Sequence, residues 1–220
     1  MWYKVRENLI DLKLSREREA SRSLDLFFWS FIVILACLVL LRVFVFSSVI
    51  VSGTSMCDTL QSGDLLLVNK LYEPKNGDVI VFYAATIDEK GNIHYQLDEN
   101  GQKTFYIKRI IACEGETVYW ENGIVSRGYF DGENFVKTEL DEPYAKGKTY
   151  TLHSIFDFED NVEGTKVPKN HYFVLGDNRP VSNDSRGTIG MVDERLILGV
   201  VPQFVIDNKE TVIRYLFRIF

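Results

Sequence analysis

The chain has 220 residues and a formal net charge of −6, because 31 acidic side chains outnumber 25 lysines and arginines. Proteins that bind nucleic acid usually present a basic surface, so this acidic balance predicts no nucleic acid partner. Three cysteines are too few for a framework of disulfide bridges.

Basic side chains are concentrated at the beginning of the chain. Residues 1–25 contain six of them, whereas after Arg42 none follows until Lys70. By the positive-inside rule, a membrane span between these regions would leave the N-terminus in the cytoplasm and everything after the span outside. We therefore interpret residues 1–25 as a cytoplasmic flank without chemistry of its own.

The span itself is predicted by an uncharged run of sixteen residues from Leu26 to Leu41, extended by apolar residues beyond Arg42. A bilayer core requires about 20 such residues in a helix, which predicts a transmembrane helix over 26–46. A cleaved signal peptide would have a shorter apolar region, about 7–15 residues, and small residues at its end. A helix that packs one face on the core of a soluble protein would show a polar stripe on its other face. Neither alternative fits the run.

Beyond the span, the pattern changes to short segments rich in β-branched and aromatic residues, separated by Gly, Asn, Asp and Pro. The clearest are LLLVNK (65–70), DVIVFYAA (78–85), FYIKRIIA (105–112), TVYW (117–120) and YFVLG (172–176). Asn122-Gly123 predicts a two-residue hairpin turn. The roughly 170 residues of this part suffice for one β-rich domain, with or without a large insertion. Its two cysteines, Cys57 and Cys113, either form one disulfide or remain free thiols.

Ser55 lies in the glycine-containing segment Val51-Ser52-Gly53-Thr54-Ser55-Met56, just after the span. A serine hydroxyl becomes a nucleophile only when a base removes its proton. The histidines do not supply an evident base, because none stands in a motif typical of a catalytic triad. His94 is predicted at a hairpin tip, His153 in a polar segment and His171 at the start of a strand.

Lys108 is the other candidate base, within the apolar segment FYIKRIIA. Side chains alternate between the faces of a strand, so Lys108 shares a face with Ile110, and Arg109 lies on the other. One of these two cations must therefore point toward a buried face. Burial lowers the pKa of a lysine, and a neutral amine can act as a general base. The competing interpretation places Lys108 at a sheet edge with its amine in water.

A dense polar segment, GDNRPVSNDSRG, occupies residues 176–187. It is consistent with a polar turn held by an Asp184–Arg186 pair. A calcium loop is the alternative, but the alternating acidic spacing and the distant glutamate of an EF-hand are missing. We therefore expect no metal site and no cofactor.

Taken in order, these segments resemble the type I signal peptidases, a family of bacterial membrane-bound Ser-Lys peptidases of which this chain is similar to the single-span members. The matching segments are 52–60, 63–70, 77–82, 106–109 with 115–118, and 176–186. The resemblance implies an antiparallel β catalytic domain over 47–220, with a smaller inserted β region over about 119–169. It also implies that the substrates are secretory preproteins whose signal peptides have small residues before the cleavage site.

The resemblance also assigns roles to individual residues. Ser55 would attack the scissile carbonyl, and Lys108 would be the general base. Ser182 would hold the Lys108 amine by a hydrogen bond, and Tyr106 would pack over the lysine stem. Two further residues, Asp184 and Arg186, would brace the loop that carries Ser182.

Around Ser55 the chain departs from the family in two places. Asp58 replaces a proline, and Gly53 stands where some members have a serine that donates to the oxyanion. The backbone N–H of Ser55 would be one oxyanion donor, which leaves the second unassigned. Met56 belongs to the same segment as the nucleophile. Cys57 is also a possible nucleophile, but the family's lysine addresses position 55.

The resemblance implies a monomer that contacts membrane lipid, and the apolar tail 212–220 would lie on the bilayer or pack on the domain. Two other functions remain open from the sequence. A self-cleaving repressor-type Ser-Lys peptidase would share the dyad, but it would be cytoplasmic and bind DNA. A non-catalytic module would hold signal peptides without cutting them.

Overall fold

The structure is a computed structural model that describes residues 22–57, 59–145 and 161–208. The chain divides into two compact units, residues 1–45 and 46–220. The N-terminal flank 1–21, Asp58, His153 and the tail 212–220 lie outside the described residues.

In the first unit, helix α1 covers Arg22–Val45, and its last five residues, Leu41–Val45, form a π-helical turn. It includes four residues before the apolar run, since backbone hydrogen bonds do not require apolar side chains. The helix is long and apolar enough to cross a membrane. All side chains from Arg22 to Phe44 are exposed within the chain, so this helix is not the core helix of a soluble domain.

The second unit is almost entirely antiparallel β-structure, which confirms the predicted fold class. Its main sheet has seven strands in the order β1-β2-β13-β3-β6-β11-β12. The strands are β1 Phe46–Ile50, β2 Leu65–Asn69, β3 Val79–Tyr83, β4 Ala85–Ile87, β5 Ile93–Tyr95, β6 Phe105–Ala112, β7 Thr117–Glu121, β8 Ile124–Asp131, β9 Asn134–Glu139, β10 Asn161–Lys166, β11 His171–Leu175, β12 Val192–Asp193 and β13 Ile197–Val201. A 3₁₀ turn covers Glu194–Leu196, and the short helix α2 covers Gln203–Asp207.

A second sheet, in the order β10-β7-β8-β9, is inserted between β6 and β11 of the main sheet. Its β7–β8 hairpin turns at Asn122 and Gly123, whose φ angles are 49° and 81°. Asn and Gly tolerate this left-handed conformation, and two such residues give the turn that matches strand twist. The predicted hairpin is therefore confirmed. A separate two-stranded ribbon pairs β4 with β5.

The largest buried cluster anchors the segment that contains Ser55. Val51, Met56 and Leu60 are at most 4% exposed and pack with Leu66 and Val68 of β2. Burying a side chain of this size contributes about 1.5–3 kcal/mol to stability. The residues on either side of Ser55 are thus fixed by the core, while Ser55 itself is half-buried.

We predict that Gly199→Ala destabilises the β unit, because a Cβ at this position would overlap the Asn69 carbonyl oxygen where β13 approaches β2. Overpacking of this kind costs about 1–3 kcal/mol. Thermal and denaturant unfolding in detergent measure the change. Thr138→Ala, exposed on the edge strand β9, is the control and should leave stability within about 0.5 kcal/mol. Equal stabilities for the two variants would contradict the close approach.

Candidate active site

Ser55 lies in the loop between β1 and β2, residues 51–64. Two backbone hydrogen bonds close the base of this loop: the Val51 N–H donates to Asp64 O at 2.9 Å, and the Gly63 N–H donates to Val51 O at 2.9 Å. We call residues 51–64 the nucleophile loop. Its apolar anchors face the core, and Ser55 faces an open cleft.

Lys108 extends from the middle of β6 to meet Ser55. Its Nζ lies 2.7 Å from Ser55 Oγ and donates to the Ile107 carbonyl at 3.2 Å. The lysine is only 3% exposed, so its amine does not reach water at a sheet edge. A serine of the loop between β1 and β2 and a lysine of β6 thus form a hydrogen-bonded pair.

Arg109, the adjacent cation, is buried as well, at 5% exposure. The sequence argument required only one of the two cations to face a buried side. Arg109 is accommodated because Asp177, itself fully buried, accepts from its Nε at 2.9 Å and its second guanidinium nitrogen at 2.7 Å. A buried charge is tolerated when it is paired and hydrogen-bonded in this way.

Burial lowers the pKa of Lys108 to about 8, and the negative charges of Asp184 and Asp177 partly oppose this shift. Removing the amine from water disfavours the charged form, whereas a nearby carboxylate favours it. With this pKa, about one amine in ten is neutral at pH 7 and about half are neutral at pH 8. Such an amine can accept the proton of the Ser55 hydroxyl.

The loop after β11, residues 176–187, holds the nucleophile loop in place; we call it the clamp loop. The Asn178 N–H donates to Ser55 O at 3.0 Å. Its side-chain amide donates to Thr54 O and Cys57 Sγ, each at 3.0 Å. Asp177 accepts from the Thr59 hydroxyl at 2.5 Å. Two consecutive residues therefore fix the nucleophile loop on both sides of Ser55.

Asp184 and Arg186 form a fully buried bidentate pair inside the clamp loop, with both N–O distances at 2.8 Å. Asp184 also accepts from the Gly176 N–H at 3.1 Å, and Arg186 donates to Arg179 O at 3.0 Å. Bidentate Arg–carboxylate pairs impose direction as well as attraction. These contacts link the beginning of the loop to its end, as expected for bracing residues.

Ser182 is fully buried beside the site, but the expected hydrogen bond to Lys108 is not formed in this structure. Its hydroxyl instead lies 3.5 Å from Asn183 O, at the limit of hydrogen-bond distance. Ser182 nevertheless lies close to the residue that carries the hydroxyl of the dyad. Gly176 contacts both, since a Cβ at this position would overlap Ser182 Oγ and the Ser55 carbonyl oxygen. Only glycine fits between the two loops.

Tyr106, Gly53 and Met56 complete the set of predicted residues. The Tyr106 ring centroid lies 5.8 Å from Lys108 Nζ. Met56 is buried under Ser55, and its sulfur accepts from the Asp177 N–H at 3.4 Å. Gly53 has a φ of 94° and open space around it. Tyr106 thus lies beside the lysine, Met56 below the serine, and Gly53 beside the cleft.

The cleft in front of Ser55 has a volume of about 390 Å³ and two walls. Residues 49–53 with Ser55 and Met56 form one wall, and residues 103–108 form the other, with Asp98 also lining the cleft. Strand β6 is paired with β3 from Phe105 to Arg109, but β11 pairs with its opposite edge only from Arg109 onward. The edge of residues 105–108 is therefore open for an added strand.

The remaining candidates do not enter the site. His94 lies in the middle of β5 opposite Thr86, not at a hairpin tip as expected, and contacts Asp88. His171 lies near Asp193. Cys57 and Cys113 are free thiols. Within the described ranges, no three His, Cys, Asp or Glu side chains are grouped as metal ligands.

Sequence reasoning missed two functional residues, Asp177 and Asn178. Both were visible in the polar segment 176–187, but the partner that each one selects depends on the fold. A buried arginine on β6 was the available signal for Asp177, since such a cation requires a carboxylate. No local pattern indicated that Asn178 would bind the Ser55 carbonyl.

Comparison with known proteins identifies relatives over most of the chain. A family model described as "Signal peptidase, peptidase S26" matches residues 24–206. Signal peptidase I of Bacillus licheniformis is 32% identical over 198 residues, which cover 87% of this chain and 94% of the relative. Signal peptidase I of Bacillus caldolyticus is 35% identical over 182 residues, covering 79% and 86%. A solved signal peptidase I from Enterococcus faecalis V583 is 24% identical and covers 60% of this chain and 98% of its own, with a TM-score of 0.39.

We predict that the Lys108 amine titrates near pH 8 and that Asp184→Asn moves its midpoint to lower pH, because the variant removes a negative charge that favours the ammonium form. NMR of protein labelled with ¹³C at lysine Cε measures the titration, and Lys108→Ala assigns the resonance. Circular dichroism checks that Asp184→Asn remains folded. A midpoint near the free-lysine value of about 10.4 would contradict the buried, neutralisable amine.

Proposed function

The chain belongs to the signal peptidase family, peptidase S26, and from this membership we propose that Ser55 and Lys108 are its catalytic dyad. The family makes the protein a serine peptidase of the signal peptidase I type, acting on preproteins that carry signal peptides. With the apolar helix α1, it is a membrane-anchored enzyme.

The observation that carries the proposal is the 2.7 Å contact between Lys108 Nζ and Ser55 Oγ. The neutral amine takes the hydroxyl proton as Oγ attacks the scissile carbonyl carbon. The resulting ammonium then donates that proton to the leaving amine, and an acyl-enzyme remains. A water molecule, deprotonated by the same lysine, hydrolyses the ester and restores the serine.

The developing oxyanion requires hydrogen-bond donors aimed at it. The Ser55 N–H is available, because it donates to no acceptor within the described part of the chain. Its carbonyl is held by Asn178 on the opposite side, which fixes the orientation of the peptide unit that follows. Ser52 and Thr54 are exposed beside it, and the second donor is not assigned to either. The effect of Asp58 in place of proline stays a prediction.

Ser182 remains part of the proposed site. In forming the proposed hydrogen bond to Lys108, its hydroxyl would give up only the weak 3.5 Å contact with Asn183 O. Asp184 and Arg186 hold the loop in which this exchange would occur.

For the substrate, we propose an extended peptide that adds a strand to the open edge of residues 105–108. Main-chain hydrogen bonds would supply affinity, and alternate side chains would enter the cleft. The space at Gly53 admits a peptide backbone close to Ser55. Small residues before the cleavage site would enter the cleft that Ser55 and Met56 line.

We infer the orientation of the protein from the charge distribution along its sequence. The basic flank 1–25 would remain cytoplasmic, and the β unit 47–220, with its inserted region of about 119–169, would lie outside. The enzyme would then meet exported preproteins at the outer face of the cytoplasmic membrane. It would act there as a monomer in contact with lipid.

We predict that Ser55→Ala and Lys108→Ala each reduce the rate of preprotein cleavage in detergent by at least about 10³-fold. The reason is that each variant removes one partner of the proton transfer. Product formation on gels measures the rate. Cys57→Ala is the matched control, two positions from Ser55, and should cleave at a rate near that of the unsubstituted protein. Full activity in Lys108→Ala would exclude the dyad, whereas loss of activity in Cys57→Ala alone would indicate a thiol nucleophile.

We also predict that the β unit is protected from added protease in sealed inverted membrane vesicles, whose cytoplasmic face is outward. The basic flank keeps the N-terminus on the accessible side, so a tag at residue 1 should be removed while the β unit survives. Immunoblotting of both ends provides the measurement, and detergent should abolish the protection. Digestion of the β unit in intact inverted vesicles would reverse the proposed topology.

A further inference from the structure

Arg179 is a buried cation whose partner comes from outside the main sheet. It is 1% exposed and lies in the clamp loop, where its Nε donates to Gly176 O at 2.9 Å. Its other two nitrogens bind both carboxylate oxygens of Glu142, one of them at 2.9 Å. Glu142 lies in the segment Asp141–Ala145. This segment follows β9, the third strand of the second sheet in chain order. We call this segment the docking segment.

Tyr144 provides a second contact from the docking segment. Its ring centroid lies 3.9 Å from the Arg109 guanidinium carbon, and its hydroxyl donates to Glu142 at 3.2 Å. A guanidinium on an aromatic face is attracted by the ring quadrupole, more strongly when both are shielded from water. Burial raises the pKa of Tyr144, so its hydroxyl remains a donor to the carboxylate.

Both contacts connect the docking segment, through one arginine each, to residues that neighbour Ser55 or Lys108. Through Arg179, Glu142 holds the carbonyl of Gly176, the residue that precedes Asp177 and Asn178. These two residues bind Thr59 and Ser55 of the nucleophile loop. Through Arg109, Tyr144 contacts the residue next to Lys108, and Arg109 in turn binds Asp177. The serine side and the lysine side of the dyad are therefore both connected to the docking segment.

We propose that Glu142 and Tyr144 are positioning residues, and that the docking segment of the inserted region sets the distance between Ser55 and Lys108. This inference rests on the proposed dyad. Without the Glu142 carboxylate, the buried charge of Arg179 loses its partner, and the clamp loop must shift to hydrate it. A displacement of about 1 Å in a catalytic arrangement can reduce the rate by on the order of 10²-fold.

The alternative, a purely structural role, is separated by measuring kcat and KM together with thermal stability. The variants are Glu142→Gln, Tyr144→Leu and the double variant Glu142→Leu/Arg179→Met, which removes both buried charges at once. Replacing a buried ion pair by apolar side chains often preserves stability. Asp141→Asn, exposed and adjacent, is the control for Glu142. Tyr144→Phe keeps the ring but removes the donor to Glu142, so it separates the ring contact from the hydrogen bond.

All rates are measured at a temperature at which every variant is folded. We expect kcat to fall by about tenfold or more in Glu142→Gln and Tyr144→Leu, with KM changed less than about threefold, because the cleft walls at 49–53 and 103–108 are not altered. The double variant should regain thermal stability but not kcat, since nothing then holds the Gly176 carbonyl. Asp141→Asn should retain kcat, and Tyr144→Phe should lose less kcat than Tyr144→Leu because it keeps the ring against Arg109.

Two results would overturn the inference. Unchanged kcat in both Glu142→Gln and Tyr144→Leu would show that the contacts do not position the dyad. Recovery of both stability and kcat in the double variant would reduce the ion pair to a structural role. Ser55→Ala, assayed in parallel, separates this failure from failure of the dyad: if it still cleaves, both proposals fall, and if it is inactive, only the positioning role is lost.

Discussion

A lysine amine held out of water and against a serine hydroxyl is the constraint on which the site depends. Burial destabilises the ammonium form of the lysine, and nearby carboxylates stabilise it. The surroundings must therefore keep both the neutral amine and the ammonium accessible. Three buried arginines lie nearby, and each is matched by a carboxylate: Arg109 by Asp177, Arg186 by Asp184 and Arg179 by Glu142. The neighbourhood is rich in charge but nearly neutral in sum. This balance lets burial, and not an excess of either charge, determine the pKa of Lys108.

The strands and the placement of the site were predictable because they follow from local patterns. Alternation along FYIKRIIA placed Lys108 and Ile110 on one face, and Asn122-Gly123 predicted the hairpin that the structure contains. Choosing Lys108 over the histidines, however, required the family resemblance, since strand periodicity allowed an exposed lysine as well.

The parts that could not be predicted are pairings between distant segments. Arg109 and Asp177 are 68 positions apart, and Arg179 and Glu142 are 37 apart. An acidic residue on a surface loop and one that enters a buried pair have the same local sequence signature. Ser182 shows that a correct position does not fix a hydrogen-bond partner. The resemblance implied its place beside the dyad, but its hydroxyl contacts Asn183 in this structure. Side-chain rotamers in a crowded polar loop depend on every neighbour at once.

Asn178 binds Thr54 and Cys57 across 124 and 121 positions of sequence. The nucleophile loop therefore acquires its final shape only when a segment synthesised much later docks against it. Long-range contacts of this kind form late in folding, because the loop-closure entropy must be overcome first. A partly synthesised chain possesses Ser55 and Lys108 but lacks the clamp loop that holds the nucleophile loop in place. If Ser55 and Lys108 are the dyad, as proposed, catalytic competence arises as a final step of folding.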